Sequence, residues 1–279
     1  MQVTIPLYNI DRSFKDLMDE SKDLGYTFGS LLSSPEANPK LIKNLKKGVM
    51  SFPLHLSPYD KAGYGIVCPF ASPECIKLCL HESGNPVYLD GKIEARGQRT
   101  KMFFKHKELY FTRLIKEIKR AKAKADKAGM QCGIRLNATS DLSYEKFYIK
   151  REGFAHGINL MDWNDSADGI NLMDWFPDVE FYDYTAVPNR TTPTNYHLTF
   201  SLKENNFDTA MSEHKRGLNI AIPFKTKRQE DIPSTWQGIE VINGDKHDFR
   251  PLDKPSTIVG LTVKGNMDMN SPFFQEVTA

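Results

Sequence analysis

Long apolar runs are missing from this chain, and so is an excess of either charge. No stretch approaches 18 consecutive apolar residues, and the opening MQVTIPLYNIDRSFKDL has neither a basic leader nor an apolar core. Neither a membrane span nor a secretory signal is expected, so the reading is a cytoplasmic protein with no membrane partner. The 37 Lys plus Arg stand against 35 Asp plus Glu, a net charge of +2. Such a balance projects no long-range field toward polyanions, and nucleic acid is not an expected partner. Also absent are G-x-x-x-x-G-K-[ST], a G-x-G-x-x-G after a strand, G-x-S-x-G and H-E-x-x-H. Phosphate-loop NTPase, Rossmann oxidoreductase and serine hydrolase readings fall away with them.

Cysteine is scarce too, but its placement is informative. There are four, Cys68, Cys75, Cys79 and Cys132, and three of them fall within twelve residues. In a reducing compartment disulfides are rare, and clustered thiols more often bind metal. The rest is an ordinary globular composition, 40% hydrophobic and 26% charged over 279 residues. A chain of this length buries roughly three quarters of its unfolded surface without covalent staples.

From Val49 onward, short β-branched or aromatic runs alternate with polar or helical stretches, at 49–57, 132–140, 179–186, 196–202, 218–224, 239–245 and 257–265. Seven such runs predict an α/β fold, a TIM-barrel-like, mostly parallel barrel, complete or partial. Residues 1–48 read as an N-terminal appendage, joined through the polar linker SSPEANPKLIKNLKKG to a barrel domain at 49–279. Residues 93–128 read as one long helix, and a second follows the capping turn at Thr139–Asp141. The segment RLIKEIKRAKAKADK holds seven Lys or Arg in fifteen, but Glu117 and Asp126 interrupt it and no stacking aromatics are interleaved. It is read as a solvated helix face rather than a nucleic-acid patch. GINLMDW occurs at 157–163 and again at 169–175. Two copies are too few for a solenoid, so this is a duplicated loop or short helix.

The densest chemical signal is GIVCPFASPECIKLCLH, Gly65 to His81, whose thiols are spaced C-x6-C-x3-C directly after the first expected strand. Cys75 and Cys79, four apart, share one side of a helical turn, and three thiolates from one loop can meet one face of a [4Fe–4S] cubane. Zinc competes, although structural zinc normally uses two short knuckles and no second one is present. Thiols packed as small buried hydrophobes are the plain alternative. For a fourth ligand, Cys132 opens its strand and would stand about 23 Å from that strand's C-terminal end. Barrel chemistry gathers at those ends, which favours His55, at the end of the first strand. A hydrogen-bonded core histidine, His81 as ligand, or an open iron that takes S-adenosylmethionine are the alternatives.

Polar residues recur where the other strands end: Arg135, Asn137, Ser140 and Asp141; Tyr182, Asp183, Tyr184 and Arg190; His197 and Ser201; Asp245, Asp248 and Arg250; Lys264. Parallel strands bring their ends to one rim, so these predict a polar mouth facing one site; rim salt bridges are the structural alternative. Arg190 and Arg250 would hold an anionic group or hydrogen-bond a cluster, and Asp141 and Asp245 would act as bases or orienters.

These segments carry a resemblance. The blocks LHLSPYDKAGYGIVCPFASPECIKLCL, RLNATSDLSYE, FPDVEFYDYTAVPNR, NYHLTFSLKEN and VINGDKHDFRPLDKPSTIVGLTVKG, which cover most of residues 54–265, are similar to a family of phage-borne proteins labelled gene product 88-like. The resemblance implies a shared cysteine motif, a phage origin and the host cell cytoplasm, but no settled reaction. His81 departs from the smaller polar residue expected there, and the doubled GINLMDW is particular to this chain. Radical S-adenosylmethionine enzymes are similar in strand order and in the position of the cysteine loop, but they use C-x3-C-x2-C. The leading expectation is a phage-encoded [4Fe–4S] protein with a redox or electron-transfer role, liganded by Cys68, Cys75, Cys79 and His55 and serving a redox partner protein or small molecule. A radical S-adenosylmethionine-type enzyme and a zinc-stapled interaction protein are the rivals.

Overall fold

A computed structural model describes residues 2–7, 10–37, 39–79, 89–151 and 169–277. The chain opens with β1 (Val3–Leu7), α1 (Phe14–Asp23) and α2 (Pro39–Leu45), then enters the main sheet at β2 (Val49–Pro53). After α3 (Pro73–Lys77) come the long helices α4 (Leu89–Lys105) and α5 (Lys107–Lys127), then β3 (Gln131–Arg135), β4 (Phe147–Arg151), β5 (Ile170–Asn171) and α6 (Leu172–Trp175). β6 (Glu180–Thr185), β7 (Tyr196–Ser201), α7 (Phe207–Lys215), β8 (Asn219–Phe224), β9 (Thr235–Trp236), β10 (Ile239–Asn243) and β11 (Ile258–Thr262) complete the order. Each of the seven expected runs contains a strand, because buried parallel strands read as near-continuous apolar segments. Among the described residues no helix is long and apolar enough to cross a membrane.

The large sheet has the order β2-β3-β6-β7-β8-β11-β10-β9, with β9 antiparallel on β10 and the other pairs parallel; a smaller sheet has the order β1-β4-β5. Both sheets are mixed and the large one is open and uncurled, which overturns the expected TIM-barrel-like barrel, complete or partial. Closure is blocked at both edges. Beside β2, Ser33 donates its N–H to the Pro53 carbonyl at 2.8 Å and Leu32 bridges Leu54, so that edge is already taken. At the far side β11 inserts between β8 and β10, and the sheet ends in the two-residue β9. Strand number and periodicity do not report what occupies an edge.

Two helical expectations also change. The long helix is divided at His106, whose φ of −136° and ψ of 59° are not helical. After Asp141 the chain makes a single tight turn at Tyr144–Lys146 and then forms β4, which pairs in parallel with β1. The second GINLMDW gives β5 and α6: Asn171 caps the helix, accepting from the N–H groups of Met173 and Asp174, and Leu172 and Met173 are fully buried. The first copy lies outside the described residues.

One sheet face carries Phe52, Ile134, Phe181, Tyr196, Phe200, Ile220 and Ile258, all buried. Helices α5 and α7 pack against these strands. Ile5, Leu7, Leu17 and Leu31 from the first 48 residues share one apolar cluster with Leu114 and Ile118 of α5. In the basic part of that helix Arg113 and Glu117 are buried, and Glu117 accepts the N–H groups of Leu31 and Leu32.

The opposite face is covered by the segment between β10 and β11. Phe249 packs edge-on against Tyr182 at 5.0 Å between centroids, and Asn44 of α2 accepts the N–H groups of Asp248 and Phe249 while donating to Ser51 Oγ. Gly133 is required here, because a Cβ on it would lie 2.9 Å from the Phe249 ring and 3.1 Å from Ser51 Oγ. Gly133→Val is expected to cost about 1–3 kcal/mol by overpacking, read as a lower urea midpoint. An unchanged midpoint would mean that this covering segment is not fixed.

Candidate metal centre

The cysteine loop leaves the end of β2 and is tied to its neighbours at each step. Thr139 Oγ1 donates to the Leu56 carbonyl at 2.6 Å, and the Ser57 N–H reaches Thr100 Oγ1 of α4 at 2.8 Å. Residues 59–67 turn back on themselves: the Val67 N–H bonds the Tyr59 carbonyl, and the Asp141 N–H bonds the Val67 carbonyl. Tyr59 accommodates that turn with a left-handed φ of 53°. The reversal places the Tyr59 N–H 3.3 Å from Cys68 Sγ, a donor aimed at sulfur. Ser72 then caps α3 by accepting the Cys75 N–H at 3.2 Å, and the helix ends at Leu78, just before Cys79.

Cys68, Cys75 and Cys79 are all partly buried. Burial pushes the Cys68 thiol up to about 12; the Tyr59 N–H opposes this, and the charges of Asp141, Cys75 and Cys79 add to it. Burial and the neighbouring Cys79 push Cys75 up to about 11, against the pull of Lys203. Cys132 does not belong to this set. It is buried against α5 in the cluster with Ala121 and Ala125, and the charges acting on it are Lys122 and Asp126.

His55 is partly buried, with Nδ1 3.4 Å from Ser33 Oγ. Burial, then the charges of Arg96, Arg135 and Arg99, lower its pKa to about 3, so the imidazole is neutral, the form that binds metals. Among the described residues, no three His, Cys, Asp or Glu side chains stand together closely enough to hold a metal ion. His81 lies outside the described residues. Cys68, Cys75 and Cys79 thus lie on one segment without forming a metal-holding group among the described residues.

The rim residues divide into two networks. Around the thiol loop, Asn137 donates its N–H to Asp183 Oδ1 at 2.8 Å, and Tyr196 donates to Asp183 Oδ2 at 2.7 Å. Burial still pushes Asp183 up to about 7. Asp141 accepts from Thr185 Oγ1 and the Ala186 N–H, and Arg190 clasps Glu145 through Nε at 3.0 Å and NH2 at 2.6 Å. This network fixes the 137–142 turn, whose Thr139 carbonyl is 4.0 Å from Cys68 Sγ. The second network lies on the opposite sheet face: Arg135 pairs with Asp248 and lies over the Tyr184 ring, Arg250 pairs with Asp253, and Asp245 pairs with Lys40 and Lys264. There the salt-bridge alternative describes the geometry.

Lys203 and Glu204, immediately after β7, were not among the expected site residues. Lys203 is buried and donates to the Phe70 carbonyl in the cysteine loop, while Glu204 accepts from Ser72 Oγ at 2.8 Å and from the Glu74 N–H at 3.3 Å. Their place at the end of the run YHLTFSL was the available signal. Beside Lys203 and the loop lies a cleft of about 270 Å³, bordered by Phe70, Ser72, Pro188, Lys203, Asn206 and Thr209. It sits beyond the carboxyl ends of parallel strands, where open α/β sheets commonly bind ligands.

No curated protein and no solved structure matches this chain significantly. The model of one family, gene product 88, matches residues 30–274, a span that holds the cysteine loop, both polar networks and the whole of the large sheet. The chain belongs to the gene product 88 family.

Proposed function

We propose that the chain is a phage-encoded iron–sulfur protein that holds a [4Fe–4S] cluster through Cys68, Cys75 and Cys79 and exchanges electrons with a redox partner protein or small molecule in the host cytoplasm. The observation that carries this reading is the loop itself: three partly buried thiols on one short segment, with a backbone N–H directed at one sulfur. Burial favours the protonated form of the Cys68 and Cys75 thiols, and cluster ligation would release those protons while the nearby Lys203 offsets part of the thiolate charge. When bound, the cluster supplies one-electron chemistry, and hydrogen bonds to sulfur help set its potential.

Anaerobic reconstitution with iron and sulfide tests the reading. A brown protein with a broad charge-transfer band and equal iron and sulfide is expected; a colourless, iron-free preparation carrying zinc would replace this reading with the zinc-stapled one. For the fourth position we take His55. His55→Ala is expected to change the cluster's absorption or paramagnetic spectrum and to shorten its lifetime in air. An identical spectrum and lifetime would remove His55 as a ligand. The cleft beside the loop gives a specific ground for the second reading, a radical S-adenosylmethionine-type enzyme with an open iron. Cleavage of S-adenosylmethionine by the reduced, reconstituted protein would favour it.

A further inference from the structure

We propose that the cleft beside Lys203 and the cysteine loop binds a small organic monocarboxylate, with the Lys203 ammonium as its counter-ion. Such a site lies beyond the metal reading and does not depend on it. Lys203 is 6% exposed, and a lysine buried to this degree is normally paired. Among the described residues its ammonium has one hydrogen-bond acceptor, the neutral Phe70 carbonyl, and no ion pair. The carboxylates whose charge reaches it are engaged elsewhere: Glu204 accepts from Ser72 Oγ and the Glu74 N–H, and Asp141 accepts from Thr185 Oγ1 and the Ala186 N–H. What Lys203 does border is the cleft of about 270 Å³.

The start of α7 adds positive potential to the same space. Asn206, the residue before the helix, makes no capping bond: its Oδ1 accepts the Lys203 N–H at 2.7 Å and its Nδ2 donates to the Ser201 carbonyl at 3.0 Å. The first turn of α7, from which Thr209 lines the cleft, therefore has no side-chain cap, and helix starts of this kind favour a negative charge. Asp208, the acidic residue of that turn, is exposed and does not line the cleft. Phe70, Pro73, Ala186 and Pro188 contribute apolar surface, which suits a short hydrocarbon or aromatic body. The volume lies just below the usual range for ligand pockets, so that body is small. Among the described residues no arginine lines the cleft, and a single lysine matches one carboxylate better than a phosphate, whose additional charge would also meet Glu204 and Asp141.

Isothermal titration calorimetry on full-length, metal-free protein at constant ionic strength tests the site, with benzoate, its neutral isostere benzamide and inorganic phosphate as probes. Benzoate is expected to bind more tightly than benzamide or phosphate by roughly tenfold or more. Lys203→Met is expected to weaken benzoate by a similar factor while leaving benzamide unchanged, and Lys203→Arg to keep most of the benzoate affinity. Thr209→Phe, at the start of α7, fills the cleft and is expected to abolish benzoate binding; this variant decides the matter should Lys203→Met fail to fold. No benzoate binding by wild type, equal affinities for benzoate and benzamide, tighter binding of phosphate than of benzoate, or wild-type benzoate affinity in Thr209→Phe would each overturn the site. Benzoate binding by a protein that takes up no iron would sustain the site while the metal reading fails. Iron uptake without benzoate binding would do the reverse, and would leave the cysteine loop as the counter-ion of Lys203.

Discussion

Cys75→Ser is expected to abolish retention of iron and sulfide after anaerobic reconstitution, whereas Cys132→Ser leaves both nearly unchanged. The contrast follows from where the four sulfurs sit. Cys75 lies on α3, partly buried, and under the proposed ligation replacing its sulfur removes one of three donors from a loop that offers few alternatives. Serine is close in size, so its fold-level effect is small; what it loses is a soft, ionisable ligand. Cys132 lies on the helix-covered face of β3, where a serine hydroxyl would be buried among apolar groups of α5. That substitution is expected to cost about 1–3 kcal/mol of stability while sparing the metal. Iron and sulfide per chain, measured beside the urea midpoint, separate the two effects. Equal loss of iron in both variants would reverse the assignment of the ligands.

A short helical turn after Cys68 was legible in the sequence because its information is local, but the turn ends before Cys79, so Cys75 and Cys79 do not share it as expected. The strands were legible for the same reason, each being a compact apolar run. Closure of the sheet was not, since it depends on Leu32 and Ser33 occupying the β2 edge and on β11 entering between β8 and β10. The rim residues show the same limit. Arg135 finds Asp248 at a separation of 113 residues, and Lys203 finds Phe70 at 133. A polar residue at a strand end announces that it needs a partner, but the chain topology decides whether that partner is a ligand or a distant carboxylate. Conversely, Glu117 reads as a solvated helix charge, yet it is buried because the segment at Leu31 and Leu32 presents two unpaired N–H groups to it.

Arg190→Met should be the most damaging single change outside the thiol loop, lowering stability by about 3–5 kcal/mol. Its side chain is 1% exposed and holds Glu145 through two nearly parallel bonds, touches Tyr196 Oη at 3.2 Å, and stands 3.7 Å from Asp141. Methionine fills a similar volume, so the loss comes from charge: Glu145, 5% exposed, is left without its cation, and Asp141 and Asp183 lose a cation that favours their ionised forms. The double variant Arg190→Met/Glu145→Leu is therefore expected to recover a large part of the loss, because the most exposed penalty of the single change is removed. Urea unfolding of the single and double variants measures this directly, and a single-variant loss below about 1 kcal/mol would show that the pair is weakly coupled to folding. The same change reaches the thiols. Asp141 and Asn137 anchor the turn whose Thr139 carbonyl meets Cys68, and whose Asp141 N–H fixes Val67 immediately before it. Arg190→Met is accordingly expected to speed Cys68 alkylation under conditions where the protein remains folded, while leaving Cys132 unaffected. A Cys68 rate identical to wild type would mean that the network supports the sheet alone and not the candidate metal centre.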